Sequence, residues 1–71
     1  MTTKKYNVGL TDGNAFSIMT YVSSAMIREG FPEADIKKYL KEAQSKNYSN
    51  LVKVSKKWIN RCNAHAALGV R

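Results

Sequence analysis

Apolar side chains recur at helical spacing in three separate segments of this chain. In the first, residues 14–29, they form one face broad enough for the most buried helix of a small domain. The same period returns in residues 33–46 and again in residues 50–63. We therefore predict three helices. Their predicted core residues are Phe16, Met19, Val22, Ile36, Leu40, Leu51, Val54 and Trp58.

The segments between the apolar runs carry the signals of helix ends. Asp12 or Asn14 can cap the first helix, and Gly30 offers a left-handed stop with Phe31 and Pro32 after it. In the next connection, Asn47 is predicted to close the second helix in a left-handed turn. Ser49 is then predicted to cap the third helix.

The N-terminal segment has a different period. Tyr6, Val8 and Leu10 alternate with polar or small residues, which predicts a short strand. Such a strand needs a partner, either residues 67–71 or the same strand of a second subunit. The predicted fold is thus mainly α, a compact three-helix domain with a short N-terminal β-strand. Residues 1–71 form a single domain, with residues 1–5 flexible and residues 64–71 left as an unassigned tail.

The chain is strongly basic. It has 71 residues, twelve Lys and Arg against five Asp and Glu, and a net charge of +7, which favours anionic partners. Its single cysteine allows no intrachain disulfide and suits a reducing cytoplasm. Residues 6–27 are too polar for a membrane span, and the N-terminus lacks the apolar core of a signal peptide. We expect a cytoplasmic protein that makes no contact with membranes.

The polar side of the third helix is the leading candidate for a binding site. It carries Lys53, Lys56, Lys57 and Arg61 with no acidic residue among them. An acid-free basic face can lie along a phosphate backbone, and helices two and three can mimic a helix-turn-helix. However, lysine does not read base edges as arginine, asparagine and glutamine do. An acidic protein surface is therefore the favoured partner, and nucleic acid is the alternative.

A glycine-rich stretch, residues 9–14, precedes the first helix. A phosphate-binding loop requires a lysine and a hydroxyl after its last glycine, and neither is present. Asp12 would also repel phosphate. A structural turn is the favoured interpretation, and the corner Asp12, Gly13 and Asn14 is kept as a second candidate site, for a small anionic nucleotide.

Catalysis and metal binding find little support in the sequence. Cys62 and His65 have ligand-like spacing but make only half of a zinc site. His65 is the only histidine, no acidic residue lies at a spacing that would orient it, and Glu29, Glu33, Asp35 and Glu42 are predicted on exposed faces. We predict no catalytic residues, no metal and no cofactor, with Cys62 in the core and His65 exposed.

The stretch Asp-Gly-Asn-Ala-Phe at residues 12–16, Gly30-Phe31 and the helix with Trp58 together resemble a family of short hypothetical proteins from bacteriophages and other mobile elements. The resemblance covers about residues 6–60. That family has no assigned activity, so the resemblance implies a phage context and no mechanism. Similar chains end soon after the tryptophan helix, whereas this one continues through residues 63–67.

These observations lead to one expected function and two alternatives. We expect a small non-enzymatic accessory protein of phage type that binds and modulates a host macromolecule, as in host takeover or counter-defence. The alternatives are a DNA- or RNA-binding regulator that uses the third helix, and a sequestering protein for an anionic nucleotide. The small core, the unpaired strand and the uncharged stripe of Ser17, Thr20 and Ser24 also suggest a homodimer or larger homo-oligomer.

Overall fold

Three α-helices make up the body of the protein, as the sequence predicts. The structure, a computed structural model, describes residues 5–68. A short 3-10 turn, Val8–Leu10, is followed by α1 (Ala15–Arg28), α2 (Glu33–Ala43) and α3 (Tyr48–Ala67). All three helices pack against one another, and the 3-10 turn lies against α1 and α3. The expected flexibility of residues 1–5 falls, except for Lys5, outside the described residues.

The predicted N-terminal strand is wrong. Residues 5–68 contain no strand, and the segment forms a 3-10 turn because Asn7 caps it by accepting a 2.9 Å hydrogen bond from the Gly9 N–H. Tyr6 pairs instead with a side chain of α3: Asn63 accepts from the Tyr6 N–H at 2.7 Å and donates to the Tyr6 carbonyl at 2.9 Å. The Asn63 side-chain amide thus makes the two hydrogen bonds to the Tyr6 backbone that a neighbouring strand would make. The strand partner predicted at residues 67–71 lies largely outside the described residues.

Both predicted ends of α1 are confirmed. Asn14 is its N-cap, and the Asn14 side chain accepts a 2.9 Å hydrogen bond from the Phe16 N–H. At the other end Gly30 has φ of 83°, and the Phe31 N–H donates to the Met26 carbonyl at 2.9 Å. This is the Schellman arrangement, which needs a residue that adopts the left-handed conformation without strain.

The connection between α2 and α3 differs from the prediction. The second helix ends at Ala43 instead of residue 46, and Asn47 has φ of −97°, so it is not left-handed. Asn47 is the N-cap of α3 because its side chain accepts a 3.0 Å hydrogen bond from the Asn50 N–H, which places Ser49 inside the helix. At its far end α3 continues to Ala67, four residues beyond the predicted end. Alanine favours helix strongly, so much of the unassigned tail is helical.

The core is centred where α3 meets the other two helices. Val22, Leu51 and Trp58 are buried as predicted. The other predicted aliphatic core residues, Met19, Ile36, Leu40 and Val54, are partly buried against them. Phe16 is the exception: it is 74% exposed. The apolar face of α1 is wider than its neighbours cover, and the residues turned inward are Ile18, Val22, Ala25 and Met26.

Candidate functional site

The outward side of α3 presents all four cations of the candidate site to solvent. Lys53, Lys56, Lys57 and Arg61 are exposed. None of them has an acidic side chain within 4 Å in the part of the chain that the structure describes. From the first to the last they extend over about 12 Å of helix, at roughly 1.5 Å per residue. The face predicted from the sequence is therefore exposed, and within residues 5–68 its four cations have no acidic side chain beside them.

The opposite side of α3 fixes this surface to the core. Leu51, Trp58, Ile59 and Cys62 are buried. Ser55 is also fully buried, and its hydroxyl shares a 2.7 Å hydrogen bond with Tyr39 of α2. Because the pair is hydrogen-bonded, its burial does not leave a hydroxyl unsatisfied. The helix that carries the cations is therefore held along most of its length.

Arg61 is positioned by the tryptophan of the same helix. Its guanidinium carbon lies 4.6 Å from the centroid of the Trp58 ring, within the range of a cation–π interaction. On another side, Phe31 meets Trp58 edge-on, with the ring centroids 6.2 Å apart. Stacking restricts the arginine while its N–H groups remain available to an acceptor. This preorganisation has no signature in the sequence beyond the i, i+3 spacing of the two residues.

A buried carboxylate beneath α3 is the main feature that the sequence did not reveal. The Glu29 side chain is fully buried, although it was predicted on an exposed face. Its Oε2 accepts a 2.5 Å hydrogen bond from the Tyr6 hydroxyl and lies 3.5 Å from Lys5 Nζ. Its Oε1 lies 3.0 Å from His65 Nδ1. Glu29 thus joins the N-terminal segment, the end of α1 and the end of α3.

The hydrogen bonds decide the charge of this carboxylate. The hydrogen bond donated by Tyr6 has the largest effect, and the one donated by His65 has the next largest. Together with the positive charge of Lys5 they outweigh the effect of burial and lower the pKa of Glu29 to about 2. An ionised carboxylate only accepts hydrogen bonds, so the Nδ1 of His65 carries the proton that it shares. Burial and the same carboxylate raise the pKa of Tyr6 to about 12. Glu29 is therefore anionic throughout the neutral range.

Within residues 5–68, Cys62 and His65 are not joined by a third residue that could complete a metal site. Cys62 is buried as predicted, and its burial, with Glu29 nearby, raises the pKa of the thiol to about 11. The prediction that His65 is exposed is wrong, because its side chain is only 31% accessible. The imidazole ring contacts Phe31 edge-on and also pairs with Glu29. Within residues 5–68, no group of three histidine, cysteine or acidic residues is arranged to hold a metal ion.

The Asp12–Gly13–Asn14 corner is built from internal hydrogen bonds. Asp12 accepts from the Asn14 N–H at 2.9 Å, and Gly13 has φ of 84°. Tyr48, at the start of α3, donates its hydroxyl to the Gly13 carbonyl. The bond from Asn14 lowers the pKa of Asp12, which keeps a negative charge at the corner. Such a charge opposes a phosphate ligand, so the geometry supports the structural interpretation of this stretch.

Comparisons with protein-family models, with curated proteins and with solved structures find no match to this chain. Among the helices described between residues 5 and 68, none is both long enough and apolar enough to cross a membrane.

Proposed function

We propose that this protein is a small non-enzymatic binding module that docks the basic side of α3 on an acidic surface of a host protein and modulates that protein. The observation that carries the proposal is the set of four exposed cations, Lys53, Lys56, Lys57 and Arg61, with no acidic side chain within 4 Å among the described residues. A face of unpaired charge on a surface helix gains most from a partner of opposite charge. The phage context implied by the resemblance makes a host macromolecule the natural partner.

A protein partner is favoured over a nucleic acid by the side chains of the face. Three of its four cations are lysines, which bind phosphate as point charges and lack the planar fork of N–H donors that arginine has. Arg61, held over Trp58, offers a fixed fork of N–H groups that matches a carboxylate in two parallel hydrogen bonds. Sequence-independent binding to DNA or RNA needs only the charges, so it is the competing outcome of the test.

The test compares two variants with the same net charge. Lys53→Gln, Lys56→Gln, Lys57→Gln lowers the charge from +7 to +4 on α3, and Lys37→Gln, Lys38→Gln, Lys41→Gln does the same on α2. Lysines 37, 38 and 41 are also exposed, so neither variant disturbs the core. Arg61 is left in place because it packs on Trp58. Any general effect of net charge then appears equally in both variants.

Tagged forms of the wild type and both variants are purified from the bacterium that carries the gene, with and without nuclease. The proposal expects one stoichiometric host protein that survives nuclease, is lost with the α3 variant and is retained with the α2 variant. Recovery of nucleic acid alone, lost with the α3 variant, would assign the face to a DNA- or RNA-binding regulator. Equal recovery with all three forms would mean that the α3 lysines are not the binding site.

Salt provides a second discrimination between the two partner classes. Binding to DNA or RNA releases condensed counterions, so log affinity falls linearly with log salt at a slope of about −0.7 to −0.9 per phosphate contact. Titration of fluorescent duplex DNA and single-stranded RNA measures that slope directly. Absence of binding at 0.15 M salt, together with a retained host protein, supports the protein partner.

A further inference from the structure

The outward face of α1 carries two bulky apolar side chains in water with no charge between them. Phe16 is 74% exposed and Ile27 is 65% exposed. Between them on the same side lie Thr20 and Ser23, which are small and uncharged. No Asp, Glu, Lys, Arg or His occurs in α1 before Arg28. In a chain of net charge +7, an uncharged helical face with exposed apolar ends is an anomaly that the proposed binding to an acidic surface does not use.

These four residues have the spacing of a helix-pairing seam. Phe16, Thr20, Ser23 and Ile27 are separated by four, three and four positions, which is the spacing of alternating d and a positions of a heptad. Eleven residues at about 100° each complete three turns with only roughly 20° of drift. Phe16 and Ile27 therefore lie on one line along the helix, about 16 Å apart at roughly 1.5 Å per residue.

The surface around Phe16 is shaped to receive a partner helix. On one side of its ring lies an open groove of about 530 Å³, bordered by Leu10, Asp12, Thr20 and Ser24. On the other side lies a groove of about 320 Å³, bordered by Ser23 and Leu40. Leu10 is itself 73% exposed. Phe16 thus forms a ridge between two mainly apolar grooves. Helices pack by placing the ridges of one into the grooves of the other, so this surface suits a second helix.

We propose that this face binds a second copy of the chain, with two α1 helices antiparallel across a two-fold axis. Reversal of the helix about its midpoint exchanges Phe16 with Ile27 and Thr20 with Ser23. The seam is therefore complementary to itself: each Phe16 meets Ile27 of the second copy, and small residues meet small residues at the centre. A two-fold interface requires this kind of self-complementarity, and an unrelated partner does not.

Charge and hydrogen bonding also favour a second copy of the chain as the partner of this face. Two copies of a +7 chain repel each other, and the repulsion is weakest where the approaching surfaces carry no lysine or arginine. The charged residue that borders the larger groove, Asp12, is acidic and does not add to that repulsion between cations. An acidic partner would be drawn instead to the lysines of α2 and α3. The Ser23 hydroxyl already donates to the Met19 carbonyl at 2.8 Å, so its burial in a dimer leaves no unmade hydrogen bond. Small residues at the centre of the seam also let the two backbones approach closely.

The expected dimer is reversible. The seam of about three turns buries less than the roughly 1,200 Å² of a stable interface, so we expect the dimer to form only as the concentration rises. Because the cations of the candidate site lie on α3 and not on α1, the dimer would present two basic faces at once. The dimer and the proposed function are independent, so either can fail without the other.

Sedimentation equilibrium between 5 µM and 1 mM tests the dimer, with a species of twice the 8.0 kDa monomer mass expected to form as concentration rises. Phe16→Lys, Ile27→Lys should remain monomeric at all concentrations. The matched control Ala34→Lys, Ala64→Lys also raises the charge to +9 at two exposed positions and should dimerise at least ten times more tightly than the seam variant. Phe16→Ser, Ile27→Ser removes apolar area without adding charge and should weaken dimerisation in the same direction.

A charge swap tests the antiparallel register. Phe16→Glu, Ile27→Lys places opposite charges together in an antiparallel pair and like charges together in a parallel pair. We expect this variant to dimerise more tightly than Phe16→Lys, Ile27→Lys by at least tenfold. A wild type that stays monomeric at 1 mM, or a dimer that the lysine pair leaves intact, overturns the proposal. Dimerisation of the swap variant no better than that of the lysine pair overturns the register. Circular dichroism of each variant confirms the fold.

Discussion

The phenolic oxygen of Tyr6 lies 2.5 Å from Glu29 Oε2, so the hydroxyl donates a short hydrogen bond to a carboxylate that follows it by 23 positions. A hydrogen bond to a charged acceptor contributes about 1.5–3 kcal/mol. The same carboxylate is 3.0 Å from His65 Nδ1, near the end of α3. This one buried side chain attaches the N-terminal segment to two helices. Removal of the Glu29 carboxylate should therefore destabilise both the N-terminal segment and the end of α3.

The first prediction concerns this hydrogen bond. Tyr6→Phe keeps the ring and removes the donor, which should lower the free energy of unfolding by roughly 1.5–3 kcal/mol. Tyr48→Phe is the control, because that hydroxyl donates to the Gly13 carbonyl at an exposed position and should cost about 0.5–1 kcal/mol. Urea denaturation followed by circular dichroism measures both values. Equal losses in the two variants would contradict the special role of Glu29.

The second prediction is the pH dependence of stability. The pKa of Glu29 is about 2 in the fold, below its usual value of 4.5, so its contribution is complete above pH 4.5 and is lost as the pH falls towards 2. The pKa values of Tyr6 and Cys62 are raised, to about 12 and about 11, so their contributions are complete below pH 9 and are lost as the pH rises towards 12. The melting temperature should therefore be roughly constant between pH 4.5 and pH 9 and should fall at lower and at higher pH.

Two substitutions assign these losses to their residues. Glu29→Gln should make the acid loss smaller, and Tyr6→Phe should make the alkaline loss smaller. Each variant is compared with the wild type at pH 7 to separate the general loss of stability from its pH dependence. An acid loss in Glu29→Gln as steep as that of the wild type would show that other carboxylates cause it.

The third prediction contrasts two aromatic residues that the sequence placed together in the core. Trp58 is 2% exposed, and Trp58→Ala should cost about 3–5 kcal/mol through lost packing and the cavity that remains. Phe16 is 74% exposed, so Phe16→Ala should change stability by less than about 0.5 kcal/mol in the monomer. Thermal melts at 5 µM, below the expected dimer range, measure the difference. A similar loss for both would mean that α1 is rotated relative to this description.

The fourth prediction concerns the left-handed end of α1. Gly30 has φ of 83°, and a Cβ added there would meet no atom within 4 Å, so the only cost of a side chain is the backbone conformation. Gly30→Ala should therefore destabilise the protein by about 1–2 kcal/mol. Gly30→Asn should cost less, because asparagine adopts this conformation more readily than other residues with a side chain. The explanation is refuted if chemical denaturation finds the Gly30→Ala variant more stable than the Gly30→Asn variant.

The local signals in the sequence were sufficient for the helices and for two of their ends. Asn14 and Gly30 act through hydrogen bonds within a few residues of themselves, so their roles can be predicted from neighbours in the chain. The five-residue alternation at Tyr6–Leu10 was too short to distinguish a strand from a turn. Asn7 caps the turn locally. The backbone of Tyr6 is paired by the side-chain amide of Asn63, 57 positions away, which a local pattern does not show.

The environments of Glu29 and Phe16 could not be predicted because both depend on how α1 is rotated. Glu29 is acidic at a helix end, a position that is usually solvated, and its partners Tyr6 and His65 lie 23 and 36 positions away. Phe16 belongs to an apolar face wider than the neighbouring helices cover, and a pattern of residues does not say which edge of that face is left outside. For the basic face of α3 the periodicity was enough to predict exposure, because no apolar residue interrupts it.

Trp58 is the single tryptophan of the chain, and it lies between the core and Arg61 of the basic face. Its indole is therefore an intrinsic optical reporter that needs no label. Unfolding exposes the ring to water and should move its emission to longer wavelength. A ligand that draws the guanidinium away from the ring changes the local electric field while the fold stays intact, so occupancy of the α3 surface can be titrated by fluorescence at a wavelength that the four tyrosines do not share.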